Sequence, residues 1–224
     1  MNILITGGAS GLGLSITDLL AKNKSHKIYF TYYHSTDAAS QLEEKYSNVK
    51  SILCDFKNAE DVQKLAEYIS AIDLDILINN AYSTSLLKKH FHKFQESDFQ
   101  NGFKYNILPL IKITQAAITL FRKKKFGKII TILTSAIINK PPLGYSEYAA
   151  VKAYIGSLSK SWASENADFN ITSNCISPSF MQTNLTKDTD ERTIEAIIQL
   201  TPLKKFLTTE EVAEAVSYFV SWFA

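Results

Sequence analysis

Six short runs rich in β-branched and aromatic residues, at 2–6, 27–33, 49–54, 75–79, 127–133 and 170–177, recur along the chain with helical periodicity between them. This alternation restricts the fold more than any other feature. Strands separated by a helix's length of chain are joined by crossovers, and crossovers place strands parallel. Lys128-Ile129-Ile130-Thr131-Ile132-Leu133 is apolar at nearly every position instead of at every second one. Such a strand is covered on both faces. The expected fold class is therefore α/β, a doubly wound parallel sheet with helices on both faces.

A chain of 224 residues has room for one domain, residues 1–224, and not for a cofactor domain plus a full substrate domain. Hydrophobic residues at 46% and charged residues at 21% exclude a disordered chain. A net charge of +2 provides no footprint for nucleic acid, and Lys123, Lys124 and Lys125 read as a solvated cap where a helix ends. Asn2 to Thr6 already reads as a strand, with no charged leader before it, and no apolar run reaches membrane-spanning length. A cytoplasmic protein without membrane contact is expected. Cys54 and Cys175 lack the spacing of a zinc or disulfide framework and are expected to be buried free thiols. Ser97-x-x-Gln100 and Thr208-x-x-Glu211 fit the capping box at a helix start. His90 and His92 lie in a polar stretch with too few ligands for a metal, so no metal site is expected.

The first strand runs into Gly7-Gly8-Ala9-Ser10-Gly11-Leu12-Gly13, and Leu14 to Lys22 then follows helical periodicity. Glycines let a backbone turn tightly and approach a phosphate, while the unpaired N–H groups of the helix start offset its charge. Gly7, Ser10, Gly11, Leu12 and Gly13 are thus candidate cofactor contacts; the plain alternative is a tight strand-to-helix turn. Further on, Tyr148 and Lys152 stand four residues apart and so share one helical face. A phenol with a pKa near 10 exchanges protons poorly at neutrality unless a neighbouring cation stabilises its anion. The alternative is a packed tyrosine beside a lysine reaching solvent. Ser135 follows the most apolar strand, at the carboxyl end of the sheet, where open α/β folds bind ligands.

The glycine spacing with Thr6 before it, and the series Ser135, Tyr148, Lys152 with Asn106 in "NILP", resemble the short-chain dehydrogenase/reductase family. Asn79-Asn80-Ala81, Asp55, Pro178, Thr183 and the segment 201–216 extend the likeness over almost the whole chain. The resemblance implies a Rossmann-type fold and hydride transfer between a nicotinamide cofactor and a carbonyl or alcohol carbon. It implies that Tyr148 exchanges a proton with the substrate oxygen, that Ser135 hydrogen-bonds that oxygen, and that Lys152 lowers the Tyr148 pKa and holds the ribose. Asn106 would hold a relay water. Asp55 would contact the adenine, Asn79, Ala81 and Pro178 would line the cofactor, and Thr183 would meet the carboxamide. Asp55 and Thr183 also have a plain reading as caps of a turn and a helix.

The second strand ends in Tyr32-Tyr33-His34-Ser35 with no acid before Asp37. The absent carboxylate favours NADP over NAD, with Tyr33, His34 and Ser35 available to the extra phosphate. Against this, Ser10 stands where many NADP-binding members carry a basic residue. The pattern also departs from the family at Tyr82, where a glycine is usual, and at Ser179, which follows Pro178 in place of glycine. Tyr82 either narrows the site or reaches the substrate. Family members add a seventh strand, whereas this sequence stops at Trp222-Phe223-Ala224: either the chain is cut short here or the protein dispenses with the final edge strand, whose absence would leave the sixth open to another chain. The expected assembly is a homodimer or homotetramer. Leu185 to Leu200 reads either as a lid or as a plain surface helix. The expected substrate is a small ketone or acyl chain, since 201–216 looks like 3-oxoacyl reductases. The competing reading is a dinucleotide-binding sensor or scaffold without turnover; an epimerase is disfavoured by the length.

Overall fold

In the computed structural model the described residues are 1–183, 186 and 191–222, the side chains of Glu191, Thr193 and Leu200 excepted. Among them six strands, β1 (Asn2–Ile5), β2 (Lys27–Tyr32), β3 (Val49–Leu53), β4 (Ile76–Asn79), β5 (Gly127–Ile132) and β6 (Ile171–Ile176), form one sheet in the order β3-β2-β1-β4-β5-β6. Every pairing is parallel. All six coincide with the apolar runs to within a residue or two; β1, β4 and β5 are buried on both faces, while the edge strands β3 and β6 are buried only in part.

Eight α-helices complete the described residues: α1 (Gly11–Ala21), α2 (Thr36–Lys45), α3 (Ala59–Ala71), α4 (Glu96–Gly102), α5 (Leu108–Lys124), α6 (Ser146–Asn166), α7 (Glu191–Leu200) and α8 (Thr209–Ser221). The alternation of side chains along β1 shows the layering. Leu4 joins Leu65 of α3, Ile113 of α5 and Val151 of α6 on one face, while Ile3 and Ile5 join Ile16 of α1, Leu42 of α2 and Val216 of α8 on the other. Ile3, Leu4 and Ile5 are wholly buried, and burial of such a side chain contributes about 2 kcal/mol.

The switch point of the sheet lies between β1 and β4, where chain order reverses, and a crevice opens there at the strands' carboxyl ends. Thr6 and Asn80 fasten its two sides together. The Thr6 hydroxyl accepts from the N–H groups of Asn80 (2.9 Å) and Ala81 (3.0 Å), and Asn80 Nδ2 donates to the carbonyls of Thr6 (3.0 Å) and Gly7 (3.1 Å).

Three expectations are corrected. Helix α4 begins at Glu96, with its capping box formed by Gln95 and Asp98, so the N-cap lies two residues before the expected Ser97; Asp98 gives a stronger, charged acceptor for the N-cap amide than Gln100 offers. The box of Thr208 and Glu211 is present. Cys175 is exposed while Cys54 is buried, because Cys54 sits just past the end of β3 and packs into the cluster of Leu4 and Leu77. Lys124 is not simply solvated: its ammonium binds Asp75 at 2.6 Å and Asp73 at 2.9 Å. In β5 even Lys128 is buried, its Nζ donating to the carbonyls of Val220 (3.0 Å) and Trp222 at the end of α8, where a cation meets the negative pole of the helix. Leu185 and 187–190 of the expected lid lie outside the described residues, as do Phe223 and Ala224; 191–200 is helical.

Candidate active site

The crevice holds a cavity of about 340 Å³. One wall is the glycine loop. Gly7 (φ 67°) and Gly11 (φ 49°) adopt the left-handed backbone that residues with a Cβ avoid. A Cβ on Gly13 would stand 2.0 Å from the Gly7 carbonyl oxygen, so this position closes the turn only as glycine. Ser10 caps α1 from the extended region and spends no side-chain hydrogen bond on the helix. Behind the loop, Thr31 Oγ1 accepts from Gly7 N at 2.8 Å and Thr17 Oγ1 donates to Gly8 O at 2.9 Å. Side chains from β2 and α1 therefore brace from behind a turn that the loop's own glycines form.

Of the expected residues, Gly7, Ser10, Gly11, Leu12, Gly13, Tyr33, His34, Ser35, Asp55, Ala81, Tyr148, Lys152 and Thr183 line this cavity. The rings of Tyr33 and His34 pack at a tilt with centroids 4.2 Å apart, and Ser35 is the N-cap of α2. Asp55 lines the cavity and also caps its turn, accepting from Lys57 N at 2.9 Å. Thr183 approaches the loop closely: a Cβ on Gly11 would stand 3.4 Å from its Cβ.

Four expected residues are not among those that line the cavity itself. Asn79 is buried and turns to α5, donating to Thr114 Oγ1 at 3.1 Å; its neighbour Asn80 lines the cavity instead, since consecutive strand residues point to opposite faces. Ser135 opens a short 3₁₀ turn after β5 and is tied by its N–H to the Pro178 carbonyl at 2.9 Å. Pro178 thus sets the position of Ser135 and does not itself border the cavity. Asn106 sits in a π-helical stretch, Phe103–Ile107, between α4 and α5, a geometry that recurs at functional sites. Its side chain is engaged at both ends, Oδ1 accepting from Ser83 N (2.7 Å) and Nδ2 donating to Thr84 Oγ1 (3.0 Å) and Gly102 O (3.2 Å). It braces the loop after β4.

Tyr148 and Lys152 emerge from one turn of α6 into the cavity. Lys152 is buried and donates to the Ile132 carbonyl at 2.8 Å; burial brings its ammonium down to about 8. Burial pushes the Tyr148 phenol above the ordinary value, the Thr134 hydroxyl pulls the other way, and Lys152 stands 5.9 Å from the ring centroid. Tyr82 also lines the cavity, edge-on to Tyr148 with centroids 5.1 Å apart, and its hydroxyl donates to Glu147 Oε2 at 3.1 Å.

Thr6, Thr134, Asn80 and Glu147 are the participants that sequence reasoning left without a role. Thr6 and Asn80 were marked by the motifs without a role, and Glu147 by being an acid in an otherwise small and apolar helix segment beside Tyr148.

A glycine-walled crevice at the switch point of a parallel sheet, with a tyrosine and a lysine facing it from one helix, defines a dinucleotide-dependent oxidoreductase class. The family model described as short chain dehydrogenase matches residues 1–194, and the chain belongs to that family. It is an NAD(P)-dependent oxidoreductase acting on CH–OH or C=O groups. Nodulation protein G of Rhizobium sp. (strain N33) is 30% identical over 97% of this chain and 88% of its own length. The 3-oxoacyl-(acyl-carrier-protein) reductase FabG of Rickettsia prowazekii (strain Madrid E) is 31% identical over the same shares. Among solved structures, a tyrosine-to-phenylalanine variant of ElxO with NADPH bound superposes with a TM-score of 0.85 at 26% identity, covering 97% of this chain and 90% of that one.

Proposed function

We propose that the chain, as one domain over 1–224, reduces the ketone of a 3-oxoacyl thioester with NADPH, Tyr148 acting as the general acid. The observation that carries this is the shared face of Tyr148 and Lys152, turned into the same cavity as the glycine loop. The names of the relatives support the acyl substrate, and the ElxO structure supports NADPH.

The residues present fit such a cofactor: the cleft between the loop and Thr183 stays open because Gly11 carries no Cβ. Gly7, Ser10, Gly11, Leu12 and Gly13 would hold the pyrophosphate, Asp55 and Ala81 the adenine side, and Lys152 and Thr183 the nicotinamide side. Tyr33, His34 and Ser35, with no acid among them, accept a 2′-phosphate at the start of α2, where helix N–H groups favour an anion. When bound, the cofactor supplies a hydride. Tyr148 Oη gives its proton to the substrate oxygen, Ser135 steadies that oxygen, and Lys152 stabilises the phenolate left behind. Asn106 holds the backbone through which a water relay is reached. A homodimer or homotetramer is supported by the exposed, edge-to-face pair Phe103 and Tyr154 and by exposed Leu108, with light scattering as the check. No described helix is long and apolar enough to cross a membrane, and a cytoplasmic location is part of the proposal.

The test is titration with NADPH and NADH followed by absorbance loss with acetoacetyl-coenzyme A. Turnover that vanishes in Tyr148→Phe while NADPH still binds is the expected result; equal turnover in the variant removes Tyr148 as the acid.

A further inference from the structure

We propose that Tyr82 is a positioning residue for Tyr148: held at its hydroxyl by the buried Glu147 carboxyl, its ring fixes the Tyr148 ring in the orientation that faces the cavity. The proposal rests on Tyr148 being the general acid.

Glu147 and Tyr148 are consecutive on α6 and so leave the helix about 100° apart. Tyr82 spans both directions, with its hydroxyl on Glu147 and its ring edge-on to Tyr148. Tyr148 also meets Tyr145, centroids 6.2 Å apart at a steep angle, and Lys152 Nζ lies 5.7 Å from the Tyr82 centroid. The Tyr148 ring is therefore packed against two steeply inclined rings, one of them anchored.

The anchor is built at a cost that core packing alone does not explain. Glu147 is 3% exposed and its Oε1 has no hydrogen-bond partner. Buried acids are normally satisfied. The carboxyl fits only because α4 places a glycine against it: a Cβ on Gly102 would stand 1.8 Å from Glu147 Oε1. The loop that carries Tyr82 is braced next door by Asn106 through Ser83 and Thr84.

The clamp is also sensitive to charge. A phenol donates more strongly to a carboxylate than to a neutral acid. Burial holds the Glu147 carboxyl above its usual range, Asp98 of α4 adds to this, and the Tyr82 hydroxyl pulls the other way. Asp98 is itself paired with Lys89, and Lys152 is the cation on the α6 side. The clamp is full above the Glu147 titration and slackens as pH falls through it.

The experiment uses the full chain with acetoacetyl-coenzyme A and NADPH, and compares Tyr82→Phe, Glu147→Gln, Gly102→Ala and Tyr148→Phe. The first three are expected to lower kcat by roughly 10- to 100-fold, the loss typical of a misplaced reacting group, with KM and NADPH affinity unchanged. Glu147→Gln should also lose the acid limb of the kcat profile. In parallel, protein carrying carbon-13 at tyrosine Cζ reports the Tyr148 resonance, assigned as the line absent from Tyr148→Phe. That line should be single in the wild type and shifted or broadened in Tyr82→Phe and Gly102→Ala. An unmoved line overturns the proposal, whatever the rates. Retained turnover in Tyr148→Phe overturns the general-acid assignment instead, and the resonance still decides whether Tyr82 orients the ring.

Discussion

The two ends of the cavity are built by opposite means. At the glycine loop, function follows from side chains that are missing: backbone turns of positive φ at Gly7 and Gly11, and a closure at Gly13 that excludes even a methyl group. At the Tyr148 end it follows from side chains that crowd together, Tyr82, Glu147, Tyr145 and Lys152. The first end is set by local conformation and the second by tertiary packing. A change at the loop should therefore act on binding and folding together, and a change at Tyr148 on chemistry alone.

The largest effect expected is that of Tyr148→Phe. Loss of the transferable proton should reduce kcat by about 10²- to 10⁴-fold with the NADPH dissociation constant unchanged, measured by fluorescence titration beside the rate. At the opposite end, Gly13→Ala forces a Cβ against the Gly7 carbonyl. Overpacking of this kind costs about 1–3 kcal/mol, so both the melting temperature and NADPH affinity should fall; a variant that binds normally would erase the contrast between the ends.

Lys152→Ala should sharpen the comparison, because Lys152 belongs to both. Removing a charged donor should weaken NADPH binding and rate alike, each by at least about tenfold. The wild-type affinity should in addition be level below about 8 and decline above it, as the ammonium loses its proton; a flat profile through this range takes the cation out of the ribose contact.

The smallest effect lies away from the cavity. His26 is buried, Nδ1 has no partner, and burial holds its pKa below the ordinary value. The fold thus prefers the neutral ring and the unfolded chain binds the proton more readily. Its contribution is complete above the unfolded value near 6.5 and is lost as pH falls towards and through the folded one. His26→Gln should flatten that part of the stability curve, shifting the melting temperature by only about 2 °C.

The same division explains what was legible in the sequence. The six strands and the glycine loop depend on residue type at near neighbours, so burial on both faces and tight turning leave a direct record. Tyr148 and Lys152 are legible for the same reason, being one turn apart. The clamp is not: Tyr82 and Glu147 are separated by 65 positions, and only the packing of α4 on α6 brings the carboxyl over Gly102. Asn79 and Asn80 show the limit at its smallest scale, since the motif marks the pair and the pleat decides which of them meets the cavity. Likewise Cys175 shares its strand pattern with Cys54, and only packing separates them: Cys54 joins the core cluster of Leu4 and Leu77 while Cys175 is left exposed.

The packing of α8 against α1, with Val212, Val216 and Val220 in one cluster with Ile3, Ile5 and Ile16, has a consequence for how the protein is made. The part of the first strand and helix that α8 covers stays open until the ribosome has added nearly two hundred further residues. At about 10 residues per second that is roughly 20 s, a window in which this face is open to chaperones and to aggregation. The bond from Lys128 to the end of α8 then acts as a late latch, made only when the helix that shields the nascent face has arrived.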